Sequence, residues 1–193
     1  MKSIAADTSF FSCFHCHIKD INLLHLFLDC YTFYMGFNLM NEIPHSLRSD
    51  THFEQKIKIE NYDYAALMLP YLERDPKHIN DGEYEAIGLA FKLEMIDMLG
   101  YLIIDDRKPY NFVKRHFSHL NPFLTGTIGF IEHCCCTEGD INAEYAIGLL
   151  ETIKELSEDA TSHNRPCSMD KKKCQLIIDP VIKRIRSWDD GGL

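Results

Sequence analysis

Apolar residues along this chain come in short blocks whose spacing switches between the two-residue period of a strand and the 3.6-residue period of a helix. Residues 2–6 form a brief apolar run that stops at Asp7-Thr8-Ser9, a strand followed by a helix start. Residues 10–18 and 21–28 are rich in Phe, Leu and Ile and predict helices. Residues 31–37, aromatic with Thr32 and Tyr34 among apolar neighbours, predict a second strand. Leu39, Ile43 and Leu47 share a helical face in residues 38–47, where Pro44 kinks or shortens the helix. Residues 51–75 are more polar and predict one or two short helices, with 65–72 the clearest apolar part, ahead of a loop over 76–81. Residues 82–93 carry the strongest helical pattern, Ala86, Ile87, Ala90, Phe91 and Leu93 recurring near the helical period. Residues 101–104 read as a compact strand that ends at Asp105-Asp106. Residues 108–117 follow as a helix with Pro109 in its first turn. A short strand over 122–124 leads into Thr125-Gly126-Thr127, and 128–136 and 143–158 predict helices.

Strands alternating with helices predict an α/β fold, a central and mostly parallel sheet flanked by helices. Residues 1–155 form one domain on this pattern. Residues 159–173, polar with Pro166 and a basic run, read as a linker, and 175–188 as a last helix or a short strand plus helix. Residues 156–193 therefore stand as a C-terminal linker and extension whose role the pattern leaves open.

In parallel sheets, ligands bind beyond the carboxyl ends of the strands. Acids stand there: Asp7 closes the first strand, and Asp105 with Asp106 closes another. Glu42 in a predicted helix, and Asp81 and Glu83 at a helix start, complete a set of separate carboxylates of the kind that converge on Mg²⁺, a hard cation that takes oxygen ligands. The same acids have a plainer use. Asp81 also reads as a helix N-cap and Glu83 as a first-turn acid facing the helix dipole. Glu42 reads as a solvated surface residue, and Asp is a usual turn residue.

Composition narrows the choice. The 193 residues are 46% hydrophobic and 25% charged, with no low-complexity tract or internal repeat, as expected of a globular protein with a core. The net charge of −9 counts against a module that grips nucleic acid through phosphate contacts alone, but not against a nuclease, whose metal-holding acids add negative charge. It also suits a basic partner chain. The most apolar stretch, residues 21–37, is interrupted by Asn22, His25 and Asp29, so no membrane span is expected. Asp7 breaks the N-terminal apolar run, no signal peptide is expected, and the protein reads as cytoplasmic.

The eight cysteines include the consecutive Cys134, Cys135 and Cys136. Neighbours on a helix point in different directions, so reduced and mostly buried thiols are expected rather than disulfides. Cys13-Phe14-His15-Cys16-His17 matches a haem-attachment pattern that belongs to exported proteins. It also offers Cys13, Cys16 and His15 or His17 as zinc ligands, with Cys167 and Cys174 as recruits. His133 beside Cys134 is a weak nucleophile pair, because adjacent helical residues do not face each other. The Thr125-Gly126-Thr127 turn offers backbone amides to a phosphate but lacks the lysine and length of a P-loop.

Three runs in order resemble a known family: Gly82-Glu83-Tyr84-Glu85-Ala86-Ile87-Gly88-Leu89-Ala90, Leu102-Ile103-Ile104-Asp105-Asp106-Arg107-Lys108, and Thr125-Gly126-Thr127-Ile128-Gly129. Together they resemble PIN-domain proteins, in the branch related to VapC-type toxins of toxin–antitoxin modules. Ile4-Ala5-Ala6-Asp7-Thr8-Ser9 resembles that family's opening strand with its first acid, and Glu42 falls where the family has its second. The resemblance spans roughly residues 1–155. It implies a PIN-like three-layer fold and a Mg²⁺- or Mn²⁺-dependent ribonuclease. The implied ligands are Asp7, Glu42, Glu83 and one of Asp105 or Asp106, with Asp81 able to substitute for Glu83. Thr8 or Ser9 would orient the first acid or a bound water, Arg107 or Lys108 would meet phosphate, and Thr125 and Thr127 would support the site. RNA is the implied substrate, an antitoxin that inserts a basic residue among the acids an implied partner, and a homodimer the implied assembly. The competing expectation is a PIN-like module that has lost catalysis and only binds.

Overall fold

A computed structural model describes residues 1–72, 82–158, 166–168 and 171–191. β1 (Ser3–Ala6) runs straight into α1 (Thr8–Ser12), whose last turn widens into a π-helical segment (Cys13–Ile18). Next come α2 (Ile21–Cys30), β2 (Thr32–Met35), α3 (Phe37–Glu42), α4 (His45–Arg48), α5 (Thr51–Lys56) and β3 (Lys58–Ile59). A 3₁₀ segment (Ala65–Tyr71) precedes α6 (Gly82–Met95), β4 (Leu99–Ile103), α7 (Arg107–His116), β5 (Leu124–Thr125) and α8 (Thr127–His133). α9 (Ala143–Glu158) and α10 (Lys171–Asp189) close the chain.

The strands form one five-stranded sheet in the order β3-β2-β1-β4-β5, and every neighbouring pair is parallel. The expected α/β architecture is therefore present, with a wholly parallel sheet between helical layers, the arrangement a PIN-like three-layer fold requires. The two-residue side-chain period divides the layers. Ile4 is in register with Phe33 and with Tyr101. Phe33 and Tyr101 meet rings of Phe10 and Phe130 at 5.4–5.5 Å, so this face carries α1, α2 and α8. Phe10 at the centre of this layer also meets Phe11, Phe14 and Phe130 at 5.0–5.6 Å. Ala5 and Leu102 are register partners facing the other way, where α6 crosses β1 and β4. Burying each such Phe contributes roughly 1.5–3 kcal/mol, so the aromatic layer anchors the N-terminal half.

Local departures from the expected pattern have simple causes. Pro44 ends α3 and restarts the chain as α4, because it lacks an amide to continue the ladder. The edge strand β3, two residues long and exposed, has too little apolar pattern to be read from sequence. The expected loop over 76–81 lies outside the described residues, as do 159–165 and 169–170 of the expected linker. What is described of that linker is not solvated chain. Pro166–Ser168 form a 3₁₀ turn in which Cys167 is 1% exposed, its Sγ 3.0 Å from that of Cys13, while Lys171–Lys173 already belong to α10. α9 continues through residue 158, and α10 packs on α8 and α9. Ile178, Val181, Ile182 and Ile185 bury an i, i+3, i+4, i+7 stripe of α10. A bidentate Arg184–Glu132 pair (2.6 and 2.8 Å) and a Lys154–Asp179 pair (2.6 Å) flank that stripe. All eight cysteines are free thiols. No helix among the described residues is long and apolar enough to cross a membrane.

Candidate functional site

β1 and β4 are adjacent and parallel, so their carboxyl ends deliver Asp7 and Asp105 to one place. Asp7 is fully buried. It is the N-cap of α1, where one carboxylate oxygen accepts from the Phe10 amide at 3.2 Å. The other accepts from the backbone amide of Asp105 at 2.9 Å, which ties the two strand ends together. Asp105, half-buried, accepts from both the amide (2.8 Å) and the hydroxyl (2.6 Å) of Thr127 at the start of α8. Burial, then the charge of Asp105, push the Asp7 carboxyl well above the usual carboxylate range, and Glu83 adds to the push. Asp105 is raised too, by burial first and by Asp106 after the two Thr127 hydrogen bonds pull it back. Crowding two acids together favours their protonated forms, a preference that a nearby cation would oppose.

The opposite wall is helical. Glu42, the last residue of α3, accepts from the Gly82 amide at 2.9 Å and from the Thr8 hydroxyl at 3.1 Å. It thereby joins the ends of three elements. A Cβ on Gly82 would stand 2.7 Å from the Glu42 carboxylate, so any larger residue there would push the end of the Glu42 side chain aside. Glu83, one residue on and half-buried, contributes charge at Asp7.

The expected residues separate clearly. Asp7, Glu42, Glu83 and Asp105 all border this end of the sheet. Asp106 is exposed at the N-cap position of α7 without a side-chain cap bond, whereas Asp105 donates its backbone amide to Asp7 and its carboxylate accepts from Thr127. Asp81 lies outside the described residues. The hydroxyl of Thr8 serves Glu42 rather than the first acid, and Ser9 lies half-buried in the first turn of α1. Thr127 supports Asp105, so its amide is not open to a phosphate, while the Thr125 hydroxyl turns to the Gly126 carbonyl at 3.2 Å. Arg107 and Lys108 are exposed at the start of α7.

Glu85 had no assigned role in the sequence. It is 1% exposed, and its two oxygens accept from the amides of Asn38 (3.2 Å) and Leu39 (2.7 Å), capping α3 from a different helix. Gly36, at the N-cap of α3, leaves room for it, since a Cβ there would fall 2.1 Å from the Glu85 carboxyl carbon. Burial raises the Glu85 carboxyl, and the two amides partly offset this. The signal was available: an acid inside the apolar run from Tyr84 to Ala90.

The other candidate chemistry does not assemble. Cys13 is buried against Cys167 whereas Cys16 is exposed, and the His15 ring meets Ser46 at 2.7 Å. Cys134 is buried, its thiol pushed up by that burial, and the His133 ring lies against Tyr101 instead, at 5.4 Å. Among the described residues no group of three or more His, Cys, Asp or Glu stands close enough to hold a metal ion. The donors at the strand ends are nevertheless all oxygens, in a mutually repelling set, which fits a hard divalent cation in kind.

No family model, curated protein or solved structure matches this chain.

Proposed function

We propose that this protein is a PIN-like, divalent-metal-dependent endoribonuclease. The observation that carries the reading is the acid pair, buried Asp7 with half-buried Asp105, at the carboxyl ends of two adjacent parallel strands, with Glu83 and Glu42 on the helical side. Asp7, Glu42, Glu83 and Asp105 would hold Mg²⁺ or Mn²⁺, which would make a bound water acidic enough to attack phosphorus and would steady charge on the departing oxygen. The chain's own contribution is placement. Thr127 fixes Asp105, the Asp105 amide fixes Asp7, and Thr8 with Gly82 aims Glu42. RNA is the substrate in this reading. A blocking partner with a basic side chain, as in antitoxins, a homodimer and a cytoplasmic location belong to it as well.

One observation favours a binding module without catalysis. Both oxygens of Asp7, and both of Asp105, already accept hydrogen bonds from the protein, as in a purely structural brace. Cleavage of labelled single-stranded RNA with Mn²⁺ or Mg²⁺, with and without EDTA, separates the two. The nuclease reading expects cutting that EDTA and Asp7→Asn each abolish. A folded, metal-loaded protein that leaves several RNAs intact would favour the binding module.

A further inference from the structure

Beside Asp105 a cleft of about 510 Å³ opens between the start of α7, the β4–β5 edge and α10. Its size falls within the ~300–1,000 Å³ usual for small-ligand sites. Asp105 and Gly126 line it, Tyr110 and Ile177 offer a ring and an aliphatic wall, Arg107 and Lys173 bring positive charge from two different helices, and Arg184 is paired with Glu132. In a chain of net charge −9 this grouping of cations is local. It continues along α7, where Lys108, Lys114 and Arg115 are exposed with no ion pair to another described residue, and Lys114 sits over the Tyr110 ring at 5.0 Å. Ile177 is 44% exposed on a helix whose buried stripe lies on Ile178, Val181, Ile182 and Ile185. It therefore faces the cleft, not the core.

We propose that this cleft is a subsite for one nucleotide of a single-stranded RNA, its base against Tyr110 and Ile177 and its phosphate at Arg107, with α10 forming one wall. The proposal rests on the ribonuclease reading for the identity of the strand. An unstacked base brings a flat apolar face and a neighbouring phosphate, the pairing these walls complement. Duplex RNA keeps its bases stacked inside and cannot fill the cleft. The C-terminal extension thus gains a role: it docks on α8 and α9 through its apolar stripe and presents its other face to the substrate beside the acids.

The test is fluorescence anisotropy of an end-labelled single-stranded RNA decamer with the full chain in EDTA, where no cleavage occurs. Tyr110→Ala is expected to weaken binding about tenfold, in line with the loss of one stacked base. Arg107→Ala is expected to weaken it severalfold and to lower the salt dependence by about one phosphate contact. Ile177→Asp, at a part-exposed position, should abolish cleft binding with an unchanged thermal midpoint. Lys58→Ala, on the far edge strand, controls for loss of a positive charge and should bind as wild type. Cleft variants that stay folded and bind the decamer as tightly as wild type would overturn the proposal, as would equal competition by duplex RNA. Failure of the nuclease reading has a different signature: wild-type protein would bind through the cleft yet never cut when Mn²⁺ is supplied.

Discussion

The two walls of the acid site are built differently. On the strand side, Asp7 and Asp105 are held by amides and a hydroxyl of neighbouring elements and cannot swing away without breaking a cap or a strand-end tie. On the helix side, Glu42 is exposed at a helix end and its carboxylate accepts from Thr8 and Gly82, while α3 itself depends on Glu85 for its cap. A buried carboxylate pair is costly in the absence of a counter-charge. The strand side is therefore fixed in place and would gain most from a bound charge, whereas the helix side can adjust its reach.

The largest effect should come from neutralising the strand side. Asp105→Asn keeps both partners, since its carbonyl can accept from the Thr127 amide and its amide group can donate to the Thr127 hydroxyl. RNA cleavage should fall about a thousandfold, the loss of several kcal/mol of charge stabilisation. Metal-free stability at neutral pH should rise. Both acids have native values above those of the unfolded chain, near 3.9. Between the unfolded and native values the folded state holds more protons, so the stability these acids give is present at low pH and lost as pH rises through that window. Thermal melts in EDTA from pH 4 upward should show this decline in wild type and less of it in Asp105→Asn. An identical pH profile in both would remove Asp105 as its source.

Next in size is Glu85→Ala, which strips the cap from α3 and leaves two amides without acceptors, costing about 1–3 kcal/mol. Urea titration should show the loss, and Glu85→Gln, which keeps one acceptor, should recover part of it. Full stability in Glu85→Ala would mean that α3 is held by its apolar contacts alone. Gly82→Ala is smaller in stability but directed at function. The added methyl meets the end of the Glu42 side chain, so the melting temperature should hold while cleavage drops about tenfold. Unchanged cleavage would remove Glu42 from the working set. Thr127→Val is the mildest. It keeps the amide bond to Asp105 and loses the hydroxyl bond, for about 1 kcal/mol of stability.

The acids of both walls were legible in the sequence as candidates, but the contacts that hold them were not. Short apolar blocks ending in Asp7 and in Asp105-Asp106 announce buried strands with acids at their carboxyl ends, and parallel pairing brings those ends together. The choice between Asp105 and Asp106 depends on which side chain turns toward Thr127, a contact made across 22 residues that no local pattern encodes. Glu85 stood out as an acid within an apolar run, but its role was not readable, because its partners Asn38 and Leu39 lie more than 40 residues away. The polar residues ahead of α10 suggested a free linker, yet Cys167 is buried there because Cys13, far away in sequence, lies opposite it. The apolar stripe of α10 was visible as a helix, but the surface it docks on is formed by α8 and α9 and exists only in the fold.

Whether the Asp7–Asp105 pair takes up a divalent cation can be read from titration of Mn²⁺ into the metal-free protein, following free Mn²⁺ by electron paramagnetic resonance at neutral pH. Binding should be saturable, and Asp105→Asn should weaken it by at least tenfold while melting no lower than wild type in EDTA. Mn²⁺ binding of equal strength in wild type and Asp105→Asn, or none in a folded wild type, would contradict such uptake and leave the pair as a structural brace.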